Sequence, residues 1–118
     1  MSFENLGLSP YLSKAISKLG FIKPFEIQTE TIPSILKGND VMGIAKTCSS
    51  KTLCFVAPLL QKIQHHTYEK SRFVKALILV PTRELAVQIE QTFAGLQEAL
   101  RREVQTQAVY GGTSINPQ

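Results

Sequence analysis

Ala76-Leu77-Ile78-Leu79-Val80 is an unbroken apolar run halted by Pro81. A strand wetted on one face would interleave polar residues, so a continuous run predicts a parallel strand covered on both sides; Pro81, lacking an N–H, ends it. Downstream, Leu85, Ile89, Phe93, Leu96 and Leu100 recur at helical spacing, with Arg101 and Arg102 where cations complement the C-terminal end of a helix dipole. Val104 to Tyr110 reads as another strand, closed by Gly111-Gly112. Upstream, the short apolar run Val41 to Ala45 predicts a buried strand that passes through Thr47-Cys48-Ser49-Ser50 into a helix from Lys51. Strands alternating with helices imply right-handed crossovers and an α/β chain built on a parallel sheet.

The remaining N-terminal stretch is helical. Ser9 is placed as an N-cap, Pro10 as a first helical residue and Gly20 as a stop around Leu12, Ala15, Ile16 and Leu19. Pro24 opens a second pattern, with Ile27, Thr31, Ile32, Ile35 and Leu36 on one face, Gly38 at its end, and Pro33 expected to bend or split it. Residues 1–38 are therefore assigned to N-terminal helices and 39–118 to the α/β portion of a single domain.

Composition narrows the function classes. The chain has 118 residues, 43% of them hydrophobic, and 13 Lys and Arg against 9 Asp and Glu give a net charge of +4. The charge-free apolar run Leu53 to Leu60 is far shorter than the roughly 20 residues of a membrane span, and the N-terminus has no secretory pattern. A cytoplasmic protein is expected, with a nuclear one equally compatible. Cys48 and Cys54 have neither zinc nor redox spacing, and a helix would point the adjacent His65 and His66 about 100° apart, so these four predict no metal site.

In a parallel α/β sheet, ligands gather at the carboxyl ends of strands, here Lys46 to Thr52, Pro81 to Glu84 and Gly111-Gly112. Lys51-Thr52 after a strand and a loop is the ending of a phosphate-binding loop, in which backbone N–H groups cradle phosphate, the lysine reaches the outer phosphates and the hydroxyl binds magnesium. Ala45 and Ser50 stand where that pattern has its two glycines, and a serine cap with a surface lysine would look the same in isolation.

Four segments together carry a family resemblance. Gly20-Phe21-Ile22-Lys23-Pro24-Phe25-Glu26-Ile27-Gln28 resembles the Q motif of DEAD-box RNA helicases, with Phe3 at the usual distance upstream. Ala45-Lys46-Thr47-Cys48-Ser49-Ser50-Lys51-Thr52 resembles motif I, Pro81-Thr82-Arg83-Glu84-Leu85-Ala86 matches motif Ia, and Gly111-Gly112 falls at the GG motif. The resemblance implies a partial RecA-like, P-loop NTPase fold, a three-layer α/β/α arrangement with a parallel sheet truncated after its third predicted strand. It implies ATP or ADP and Mg2+ as ligands, held by Phe3, Phe21, Gln28 and Ala45 through Thr52, with Thr52 on the metal. RNA phosphate and sugar are implied at Pro81, Thr82, Arg83, Gly111 and Gly112. A glutamine amide matches the donor and acceptor on an adenine edge, although Gln28 also suits a solvent-facing helix position. The two phenylalanines suit either a purine face or a core, and Arg83 either phosphate or an ion pair with Glu84.

Two departures qualify the resemblance. Cys48 and Ser50 replace family glycines; a side chain held in a glycine conformation costs on the order of 1–3 kcal/mol, so weakened nucleotide binding is expected. The only aspartate, Asp40, precedes motif I, so the Asp-Glu pair of motif II is missing, and the sequence stops at Gln118. The expectation is a polypeptide that alone neither hydrolyses ATP nor unwinds RNA; an exposed sheet edge leaves self-association open to it beside a compact monomer and a molten fragment. The alternative is a non-catalytic RNA-binding or protein-interaction module that has lost nucleotide.

Overall fold

The computed structural model describes residues 2–46, 48–65, 74–98 and 106–111, with only the backbone of Cys48, Ser49 and His65. A short 3-10 turn, Glu4–Leu6, precedes helices α1 (Pro10–Lys18), α2 (Glu26–Leu36), α3 (Cys48–His65) and α4 (Arg83–Gln97). Ser9 caps α1 by accepting from the Leu12 N–H, with Pro10 at the first helical position. Gly20 terminates α1 with φ 98°, where the Phe21 N–H reaches the Ile16 carbonyl and the Gly20 N–H that of Ser17. That left-handed closure is open to glycine and strained for other residues. Thr82 caps α4 through the Leu85 N–H at 3.2 Å.

Helix α2 begins at Glu26 and runs to Leu36 as one element, so Pro33 does not split it. The carbonyl that Pro33 leaves without its helical donor is that of Thr29, and only three residues of α2 follow the proline. Helix α3 also contains a proline, Pro58, and packs along α2; α4 contacts both α3 and α1. Gly95 lets α4 approach α1, since a Cβ there would lie 3.2 Å from Leu19 Cδ2.

The α/β expectation is overturned: among the described residues there are four α-helices and no strand, hence no parallel sheet and no three-layer arrangement. The runs 41–45, 76–80 and 106–110 are irregular. The first part of the third predicted strand, Val104 and Gln105, lies outside the described residues. The side-chain environment supplies the reason. Ile78 and Val80 pack against the helical core, whereas Leu77 and Leu79 are 78% and 86% exposed. Residues 106–110 alternate in the same way. All four helices feed one core comprising Phe3, Leu6, Leu8, Leu12, Ile16, Ile32, Leu53, Val56, Leu60, Phe93 and Leu96 among others. Runs 76–80 and 106–110 are covered on one side at most, and residues 41–44 are exposed throughout. Parallel ladders occur where both faces are covered, a condition these segments do not meet. The expected exposed sheet edge is accordingly replaced by exposed apolar side chains, Met42, Ile44, Leu77 and Leu79.

The α2–α3 interface contains a free thiol. Cys54 is buried and its Sγ donates to the Ser50 carbonyl at 3.3 Å. Burial pushes its pKa above the ordinary thiol value, with hydrogen bonding to Thr31 acting in the opposite sense.

Two outcomes follow from this packing. Phe25 occupies the N-cap of α2 without a side-chain acceptor, while Gln28 three residues on already accepts from the Phe25 N–H at 2.9 Å. Phe25→Thr completes a reciprocal cap and is expected to raise the unfolding free energy by about 1 kcal/mol in urea titrations. For Cys54, the unfolded thiol ionises before the folded one. Its stabilisation is therefore fully present below about pH 8.5 and declines as pH rises through the higher folded value. Denaturant melts of the parent and Cys54→Ala between neutral and strongly alkaline pH should show that the substitution removes this part of the decline.

Candidate nucleotide and RNA site

Gln28 is fully buried, in the first turn of α2, and both ends of its amide are engaged. Oε1 accepts from the Phe25 N–H, and Nε2 donates to the Ser50 carbonyl at 3.1 Å. It is therefore not a solvent-facing helical residue. The second bond joins two segments 22 residues apart, the Q motif and motif I. Oxygen retains a second lone pair and nitrogen a second hydrogen, but enclosure keeps both from solvent.

From Cys48 onward motif I is helical. α3 starts at Cys48, and among the described residues no non-glycine residue has positive φ, so the backbone strain expected at Cys48 and Ser50 is absent. Adding Cβ atoms removes the conformational freedom that favours an open loop, and these positions instead join the first turn of α3. Ser50 and Thr52 are buried, Lys51 and Ala45 half-buried, and Lys46 exposed. Thr47 lies outside the described residues, as do the side chains of Cys48 and Ser49. A cavity of about 630 Å³ separates α2 from residues 42–45, lined by Phe25, Glu26, Glu30, Thr31, Met42 and Ser50 among others. Gly43 backs it closely, since a Cβ there would sit 3.3 Å from Ile27 Cδ1.

Phe3 is 2% exposed and belongs to the hydrophobic core. Phe21 is half-buried against the same core. Neither stands as a free stacking platform. Among the described residues no cluster of three His, Cys, Asp or Glu side chains could hold a metal.

At the other predicted site, Pro81, Thr82, Arg83 and Gly111 are all exposed; Gly112 lies outside the described residues. Thr82 Oγ1 serves as the α4 cap. Among the described residues Arg83 makes no ion pair with Glu84. Instead its Cζ lies 6.0 Å from the Tyr110 ring centroid, so the start of α4 meets the segment that leads into Gly111. Tyr110 was not among the expected site residues. The available sequence signal was an aromatic immediately before a glycine pair.

Residues 25–118 match the model of the DEAD/DEAH box helicase family. An ATP-dependent RNA helicase DBP8 from Debaryomyces hansenii is 42% identical over 98% of this chain, and an ATP-dependent RNA helicase DeaD from Buchnera aphidicola is 40% identical over 94%. The chain spans 25% and 18% of those relatives, respectively. Among solved structures, the ADP-bound RNA helicase Prp28 from Chaetomium thermophilum has a TM-score of 0.84 and 37% identity, covering 99% of this chain and 28% of that one. A DEAD box protein from Methanococcus jannaschii gives 0.83 and 34%, over 99% of this chain and 31% of that one. Together with the tied Q motif and motif I, these matches identify the chain as a member of the DEAD/DEAH box helicase family.

Proposed function

We propose that this chain is the part of a DEAD-box RNA helicase that contacts adenine nucleotide and RNA backbone, acting in the cytoplasm without hydrolysing ATP or unwinding RNA by itself. The observation carrying this reading is the Gln28–Ser50 hydrogen bond, which couples the Q motif to the start of α3. In the proposed complex Gln28 offers its remaining donor and acceptor to adenine once the groups enclosing it move aside. Phe21 lies beside the purine, and Phe3 supports it from the core. Backbone N–H groups from Ala45 to Ser50, including those in the first turn of α3, face phosphate, Lys51 reaches the outer phosphates and Thr52 contributes its hydroxyl to Mg2+. Thr82, Arg83 and the Gly111-Gly112 backbone take RNA phosphate and sugar, contacts that carry no base information. With a net charge of only +4, RNA affinity should fall as salt rises.

A second reading, a nucleotide-free RNA-binding or protein-interaction module, is favoured by one observation: helix already begins at Cys48, where a phosphate-binding loop would need to be open. Self-association through Met42, Ile44, Leu77 and Leu79 is compatible with both readings.

A thermal melt with and without excess Mg-ADP separates the two. Nucleotide binding at about 100 times its dissociation constant adds roughly 2.7 kcal/mol and moves the transition upward. Lys51→Ala and Gln28→Ala are expected to abolish that shift, read as a difference because Gln28→Ala also lowers the unliganded transition. An unmoved transition in the parent selects the nucleotide-free module. The double substitution Cys48→Gly with Ser50→Gly is expected to increase the ligand-induced shift by reopening the start of α3. No increase on a cooperatively folded chain would overturn the role assigned to the two lost glycines.

Sedimentation over a concentration series tests association separately: Leu77→Lys with Leu79→Lys should give a monomer at every concentration.

A further inference from the structure

We propose that Tyr110 is a positioning residue that holds the Arg83 guanidinium for contact with an RNA phosphate, an inference that rests on the RNA-backbone role proposed for Arg83. Arg83 is the first residue of α4, where a cation opposes the positive end of the helix dipole, so its placement gains nothing from the helix. Its side chain is exposed, has no ion-pair partner among the described residues, and lies 6.0 Å from the Tyr110 ring centroid. A planar guanidinium stacked through its face keeps its N–H edge available for a bidentate phosphate contact. Tyr110 is half-buried, giving the exposed arginine a more enclosed support, and it immediately precedes Gly111. The ring thereby limits the conformations Arg83 would otherwise lose on meeting RNA.

The test is binding of a fluorescently labelled oligouridylate to the full 118-residue chain, followed across a salt series. Arg83→Ala should weaken binding and reduce the magnitude of the log affinity against log salt slope by about 0.7, the value for one phosphate contact to a single strand. Tyr110→Phe should keep the salt slope of the parent, because the ring is kept. Tyr110→Leu should weaken binding about two- to fivefold and shrink the slope toward that of Arg83→Ala. A tyrosine that merely stacks on a base, or merely supports the fold, would leave that slope unchanged.

Tyr110→Leu with unchanged slope, while Arg83→Ala reduces it, overturns the proposal and leaves the RNA reading intact. An Arg83→Ala chain that binds like the parent overturns the RNA role of Arg83 and the proposal with it, as does a parent chain that binds no RNA. Should Tyr110→Leu fail to melt cooperatively, the Arg83 Hδ protons of the parent decide by NMR: an upfield ring-current displacement, retained in Tyr110→Phe, supports the support role, and its absence overturns it.

Discussion

A fully enclosed primary amide is costly unless both its ends are bonded, with an unmet buried group worth on the order of 1–3 kcal/mol. Gln28 meets that constraint by receiving the Phe25 N–H and giving to the Ser50 carbonyl. The first bond satisfies a donor at the start of α2; the second fixes α2 against the first turn of α3. Because α3 in turn packs against α4 and shares its core with α1, the register of the helices depends on this side chain being placed correctly. The Ser50 carbonyl also receives the Cys54 thiol, so Gln28 and Cys54 converge on one backbone atom.

The helical layer and the apolar runs obey different constraints. Helices satisfy their backbone groups internally and need only one apolar face covered, which the shared core supplies. An extended run must find partners for its backbone outside itself and, in a parallel sheet, cover for both faces. Ile78 and Val80 find such cover on one side, while Leu77 and Leu79 face outward. Chain path and family likeness are therefore retained where β pairing is not.

The sequence was most legible where the governing interaction is local. Ser9-Pro10, Gly20 and Gly38 mark helix ends through caps and left-handed φ that neighbouring residues determine. The continuous run Ala76 to Val80 was misleading because apolar composition records a capacity to be covered on both faces, and cover depends on residues distant in the chain. The same limit applied at the site. A glutamine within the Q motif suggested a ligand contact, but its bond to Ser50 required a pairing across 22 residues that no local pattern encodes. Strain at Cys48 and Ser50 presupposes that motif I stays an open loop; with α3 beginning at Cys48 that premise does not hold. Arg83 and Glu84 are adjacent in sequence, yet the arginine turns to Tyr110 instead.

Gln61 offers a different consequence. From the C-terminal part of α3 its Nε2 donates to the Gly7 carbonyl at 2.6 Å and its Oε1 accepts from the Ser9 N–H at 2.7 Å, across separations of 54 and 52 residues. Ser9 is itself the N-cap of α1. Closing so large a loop carries an entropy cost that forming α1 alone does not. The local cap of α1 can thus arise early in folding, whereas its orientation must wait for α3, making attachment of the N-terminal segment a measure of completed assembly.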